Sequence, residues 1–254
     1  AAELADPEVA LVTNVIAGEE TSGLGSILEN LHLNSFVASA GSFARVVGGR
    51  ACVIGKSMLF RRSDLELVGG FAAFSDVLAE DYLIGRSFEL LGFKVAISPH
   101  VLTTVNSGWT LERFANRHVR WAQMRRRLCA PAFLGELFFY PVVWVALAAC
   151  ALAISGERLQ ARTAAFWISA VALKCGADAL LSSRLRGRRE RLSHVLLIPC
   201  KDLLMAGIWC VGAFRRTVDW RGNRLRIESG SRLVAQPGAY GADAPEIAAA
   251  REAA

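Results

Sequence analysis

Three apolar blocks, at about residues 133–155, 161–181 and 193–213, constrain this chain more than any other feature. Each approaches the run of about 20 residues that crosses a bilayer as a helix. The first, from Phe133 to Ile154, is the cleanest. Glu136 at its edge, with Phe138, Phe139, Tyr140 and Trp144, predicts an interfacial beginning and an aromatic belt. The second holds Lys174 and Asp178 at i,i+4, and such charges inside a span face a partner or a wet cavity. The third contains Pro199, Lys201 and Asp202, which predicts a kinked, re-entrant or interfacial segment. Arg125-Arg126-Arg127 and the basic run from Arg184 to Arg191 put both flanks of the first two blocks on the cytoplasmic side. A third crossing would carry the basic stretch from Arg215 to Arg226 to the far side, so two crossings are expected.

The chain therefore divides into a mixed, soluble-looking part (1–132), a membrane part (133–213) and a tail (214–254), basic at first and disordered after Leu233. The formal net charge is +6 over 254 residues, of which 53% are hydrophobic. A basic chain suits nucleic acid, anionic lipid or phosphorylated ligands. Here the arginines cluster beside apolar blocks, which favours a membrane surface, and no nucleic-acid module is recognisable. Cys52, Cys129, Cys150, Cys175, Cys200 and Cys210 show no metal-ligand spacing and mostly lie in or beside apolar blocks, where cysteine acts as a small hydrophobe. His32, His100, His118 and His194 are scattered, so no metal site is expected from this chain alone. A composition rich in alanine and arginine points to a bacterial source and an inner-membrane location.

Within 1–132, short strand patterns alternate with helical ones, the mark of an α/β layered domain with a mainly parallel sheet. Residues 7–17 and 51–54 read as short strands, with Met58-Leu59-Phe60 following a break at Gly55-Lys56-Ser57. Ile27 to Phe36 predicts a helix, Gly18 to Gly25 a loop, and Ser63 to Leu67 a short helix ended by Gly69-Gly70. Glu80 to Leu91 predicts a helix with an apolar stripe of Leu83, Ile84, Phe88 and Leu91, stopped at Gly92. Phe93 to Ile97 alternates like a strand that Pro99 ends. After the loop Asn106-Ser107-Gly108, Thr110 caps a helix carrying Arg117 to Arg127.

Two stretches could carry chemistry. Glu80-Asp81 opens a helix, where acidic residues serve the helix dipole. A carboxylate at the domain edge could equally take a proton from an acceptor hydroxyl. Arg117, Arg120 and Trp121 share one helix face. Arginine forks match phosphate oxygens, and tryptophan can support a guanidinium. The alternative is a basic face resting on anionic headgroups.

Ala79-Glu80-Asp81 and Arg117-x-x-Arg120-Trp121 resemble the acidic ED and (Q/R)xxRW motifs of membrane-bound inverting glycosyltransferases of the GT-A fold. The finer resemblance is to ceramide glucosyltransferases. It is carried also by Cys52-Val53-Ile54-Gly55-Lys56-Ser57, Phe60-Arg61-Arg62, Gly69-Gly70-Phe71, Asn106-Ser107-Gly108 and Trp220-Arg221-Gly222, and runs from about Val9 to Leu233. The resemblance implies that Asp81 is the base that deprotonates a lipid acceptor as it attacks a UDP-sugar, with Glu80 orienting it. It implies that Arg117, Arg120 and Trp121 hold the departing diphosphate, and that Cys52, Gly55 and Ser57 lie beside the acceptor, with close backbone approach explaining the glycine. The catalytic part would face the cytoplasm. The acceptor would be ceramide-like, with a hopanoid or diacylglycerol as alternatives, and a catalytically inactive membrane scaffold as the rival of a different class.

The family's DxD motif, its nucleotide-binding region and an N-terminal membrane helix precede the part matched here, and residues 1–78 contain no DxD. The chain thus reads as the C-terminal portion of a longer enzyme, inactive in isolation. The Mg²⁺ or Mn²⁺ implied by the resemblance would be held mainly by residues outside it.

Overall fold

A computed structural model describes residues 2–19, 22–49, 52–220 and 223–235. The expected disorder of residues 236–254, and Ala51, Arg221 and Gly222 among the motif stretches, lie outside them.

The first sheet is small and mixed, with strand order β2-β1-β3. Strand β1 (Val9–Glu19) extends past the predicted end, taking Gly18 out of the expected loop. It leads into α1 (Leu24–His32), which passes through a π-helical turn (Leu33–Val37) into α2 (Ala38–Gly48). The predicted Ile27–Phe36 helix is thus part of a longer one. Residues 52–54 form no strand; Ile54 makes only a bridge to Ser57 around the turn at Gly55 and Lys56. Strand β2 (Met58–Phe60) then pairs antiparallel with β1, and α3 (Arg62–Leu67) follows.

Helix α4 (Glu80–Leu90) starts and stops as predicted, ending before Gly92 at φ 87°, a conformation that favours glycine. Strand β3 (Lys94–Val105) pairs parallel with β1 along most of its length. The expected mainly parallel sheet is therefore a mixed one whose long pairing is parallel. Pro99 does not end β3. The strand lies at the sheet edge, and the register shifts between Asn14 and Ile16, so the missing N–H falls at an irregularity where no ladder bond is lost.

Thr110 caps α5 (Leu111–Leu128), its side chain accepting from the Arg113 N–H. The chain then turns through α6 (Ala130–Gly135) and a 3₁₀ turn into α7 (Pro141–Ser155). The first block is therefore not one straight helix: its helices are bent by 72° at the break. Pro141 sits at the start of α7 and holds Tyr140 out of the helical region, and Tyr140 is buried. Glu136 is not an interfacial residue either. It is buried and receives both Arg125 donors, at 2.8 and 3.1 Å, so Arg125 is committed to the fold rather than to headgroups.

Helix α8 (Ala161–Arg186) and the segment Leu192–Phe214, made of α9 (Leu192–Val195) and α10 (Ile198–Phe214), are each long and apolar enough to cross a membrane. They differ in cover: 6% of the best window of α8 is buried inside the protein, against 33% for Leu192–Phe214. Buried Lys201 binds Asp178 of α8 at 3.2 Å and Asp202 at 3.0 Å, with Lys174 2.5 Å from Asp178. These charges face each other, as the i,i+4 pair predicted. Further along, a Cβ on Gly212 would sit 2.5 Å from the Ala122 Cβ of α5, so only glycine allows this approach. Leu28, Phe114, Ala122, Phe133, Met205 and Ile208 form the core that binds α10 to α1 and α5.

The tail is not a loose basic segment. Strands β4 (Thr217–Trp220), β5 (Asn223–Ile227) and β6 (Leu233–Ala235) form a second, antiparallel sheet. Val218 and Ile227 pack on Leu78, just before α4. The Leu233 N–H donates to the Asp76 carbonyl at 2.7 Å, and Leu78 N–H to that of Ser231 at 3.0 Å. The tail therefore returns to the soluble part after α10, which removes the expected conflict between a third crossing and the basic end.

Candidate active site

The acidic turn is held from two sides. Ala79, at the N-cap of α4, donates its N–H to the Ser231 hydroxyl at 3.2 Å. On the other side, Asp81 Oδ2 accepts from the Gly55 N–H at 2.8 Å, and Oδ1 from the Tyr82 N–H at 2.7 Å. A Cβ on Gly55 would stand 3.1 Å from that carboxylate oxygen. The close backbone approach at Gly55 is thus to Asp81 itself. Thr13 shapes the turn: its hydroxyl donates to the Ser57 carbonyl at 2.9 Å and accepts from Ile54 N–H at 3.2 Å. The Ser57 hydroxyl is spent on Asn14 Oδ1 at 2.7 Å, a brace between the turn and β1. Cys52 is exposed, two positions before Ile54. Lys56 donates to the Thr104 hydroxyl at 2.7 Å, and burial together with the charge of Arg117 pushes its pKa down.

Helix α5 supplies the basic wall. Arg113 and Arg117 lie over the Trp109 ring at 4.3 and 5.2 Å, and Arg117 lies 4.4 Å over Trp121. Trp109 itself is seated by its backbone N–H, which donates to Ser26 Oγ at 2.9 Å. Behind them Glu29, fully buried on α1, sits 3.4 Å from Arg117 Nε and 2.8 Å from His118 Nε2. Burial alone would raise the Glu29 pKa, but His118, Arg117 and Lys56 outweigh it and hold it down. Arg117 is therefore caged between two indoles and a carboxylate. Arg120 is half-buried; burial and Arg117 lower its pKa, and the charge of Glu80 opposes them.

A cavity of about 420 Å³ opens along this face of α5, lined by Trp109, Arg113, Arg117 and Arg120 and closed by Arg215 and Thr217 of the tail. The closure depends on Gln123, whose side-chain amide donates to the carbonyls of Arg215 and Thr217 at 3.1 and 2.9 Å. Asp81 and Gly55 meet at the acidic turn that Glu80 opens, Arg117 and Arg120 line the cavity with Trp121 stacked under Arg117, and Ser57 points back into the fold. Glu29, His118, Gln123, Arg113 and the tail escaped the sequence reading. Glu29 and His32 could have been found as polar residues within the predicted apolar helix, and Gln123 by its threefold spacing from Arg117 and Arg120.

Among the described residues, no three His, Cys, Asp or Glu side chains come together to hold a metal ion. Both Asp81 oxygens already accept backbone N–H groups. The residues present do not fit the Mg²⁺ or Mn²⁺ implied by the resemblance, and no step below is routed through one.

A layered α/β part thus carries this acidic turn and arginine-lined cavity, and helices long and apolar enough to cross a membrane follow it. Residues 1–233 match the model of glycosyl transferase family 21, and the chain belongs to that family. It is similar to ceramide glucosyltransferase 3 of Caenorhabditis elegans, 29% identical over 121 residues, which cover 46% of this chain and 26% of the relative. Ceramide glucosyltransferase 1 of the same animal is 30% identical over 121 residues, 46% of this chain and 25% of its own. The matched part thus spans about a quarter of the length of these curated relatives.

Proposed function

We propose that this chain carries the base and the leaving-group side of a glycosyltransferase that moves a hexose, glucose by preference, from a UDP-sugar to a ceramide-like lipid hydroxyl with inversion. The observation that supports this reading most is that Val218, packed on Leu78 just before the acidic turn, also lines the arginine-rich cavity. In the reaction the acceptor oxygen bonds to the anomeric carbon as the bond from that carbon to the β-phosphate oxygen breaks. The acceptor proton passes to Asp81, and UDP leaves with the bonding electrons. Negative charge builds on the diphosphate, where preplaced cations lower the barrier. Arg113, Arg117 and Arg120 line the cavity where it would lie, and Arg117 stacks on Trp109 and Trp121. The Gly55 and Tyr82 N–H groups hold the Asp81 carboxylate in place, and Glu80 would orient the turn beside it.

In the full-length protein in membranes, Asp81→Asn should lower turnover by roughly 10²–10⁴-fold, the usual worth of a general base. UDP affinity, measured by calorimetry, should change by less than about twofold, because Asp81 touches the acceptor and not the diphosphate. Equal loss of both would show that Asp81 has another role. Mass spectrometry of the lipid product names sugar and acceptor together.

A further inference from the structure

The helix that leaves the π-helical turn has no place in any core of the chain. Phe36, Ala40, Phe43 and Val47 recur at the i, i+4, i+7, i+11 spacing of one helix face, and no residue of α2 is buried. Phe43 and Val47 are 63% and 66% exposed. This stripe continues a surface that already belongs to the membrane part. Phe36 rests on Phe139 and Tyr140, with ring centroids 6.0 and 5.9 Å apart, where the chain enters α7. Asn34 of the same turn reaches Ser182 of α8 at 3.5 Å. Phe138 and Phe139 are exposed as well, so apolar surface runs from the start of α7 along α2. The other side of α2 walls a narrow slot, with Val37 and Gly41 facing Cys52 and Ile54. A Cβ on Gly41 would lie 3.8 Å from that of Cys52. The next residue after Ile54 is Gly55, which binds Asp81.

We infer that α2 lies in the plane of the bilayer with Ala40, Phe43 and Val47 sunk among the acyl chains. With 11 residues it is too short to cross, but an amphipathic helix of this kind lies in the interface. Continuity with the α7 and α8 surface decides the occupant: a stripe collinear with membrane-facing residues meets lipid. A consequence, resting on the lipid-acceptor reading, is that the slot beside Cys52 opens at headgroup level. A lipid hydroxyl then reaches Asp81 without leaving the bilayer surface.

The test places a photoreactive benzoylphenylalanine at position 43, or at Arg45 about 200° further round the helix, in the full-length protein in vesicles of phosphatidylglycerol and phosphatidylethanolamine. Cross-linking to phospholipid should be several-fold greater from position 43. Cross-links to a second copy or another protein, equal lipid yields from both positions, or none from either, overturn the placement. In a second arm, the double variant Phe43→Glu, Val47→Glu should lose about tenfold or more of its transfer to an acceptor embedded in vesicles. It should keep transfer to a short-chain, water-dispersed acceptor within about twofold. Equal loss on both acceptors overturns the slot's role. If the wild-type protein glycosylates no lipid while position 43 still labels phospholipid, the functional reading fails and the helix placement stands.

Discussion

Glu29 Oε2 and His118 Nε2 meet at 2.8 Å, both buried in the seam between α1 and α5. The ring of His118 in turn stands edge-on to that of His32, 4.7 Å away, and to that of Trp121, 5.3 Å away. The seam behind the basic wall is thus built from groups that titrate.

Its pH response has a definite sign. Burial lowers the pKa of His118 below 6.5 despite Glu29, and burial with the charge of His118 lowers that of His32 well below 6.5. The unfolded chain therefore binds more protons below about pH 6.5, and the stabilisation present above that value is lost as the pH falls toward the folded pKa values. The depressed Glu29 pKa acts in the same direction, only below about 4.5. Melting temperature in detergent should fall between pH 7.5 and 5.5. His32→Phe should flatten that slope, because neither His32 nitrogen has a hydrogen-bond partner among the described residues. At pH 7.5 the variant should be equal to the wild type or about 1 kcal/mol more stable.

Gly55→Ala tests the aim of Asp81. The added methyl would press on the carboxylate from 3.1 Å, a few tenths of an ångström too near, without a positive φ to strain the backbone. Turnover should fall about tenfold or more while the KM for the UDP-sugar is unchanged. Steady-state kinetics with varied donor checks this.

Gln123→Leu removes both bonds that hold the carbonyls of Arg215 and Thr217. The cost should be about 1–3 kcal/mol at the tail's docking surface. Limited proteolysis should then cut within residues 215–235 before the rest of the chain, and UDP affinity should drop because the cavity loses a wall.

Lys201→Met leaves Asp178 and Asp202 with Lys174 alone. Uncompensated buried charge of this kind costs about 3–5 kcal/mol. Pairing it with Asp178→Leu should recover part of the loss, since the remaining Lys174 and Asp202, 3.7 Å apart, stay balanced. Thermal unfolding in detergent measures both.

Local signals were the legible ones. The acidic opening of α4 and its stop at Gly92, the Thr110 cap and the α5 face all depend on neighbours within a few residues, and they formed where the spacing put them. Pairings across the chain were not legible. The tail reads as basic and Gly-containing, and its strands exist because Val218 and Ile227 find Leu78 about 140 residues upstream. Pro99 looked like a strand end because the sequence does not say that β3 is an edge. The apolar run around Tyr140 looked continuous because hydropathy ignores the bend that Pro141 imposes. In the site, the motif residues were visible, but Glu29 and Gln123 were not, since their partners come from other elements.

The bonds from Ser231 to Leu78 and Ala79 also set an order of events during synthesis. The ribosome makes the acidic turn long before the strands that secure it, and the membrane helices are threaded between the two. Until α10 has been seated and the tail has folded back, the cavity lacks a wall and the turn lacks its latch. A nascent chain stalled at that stage would therefore hold the acidic turn and the α5 arginines in an unfinished site.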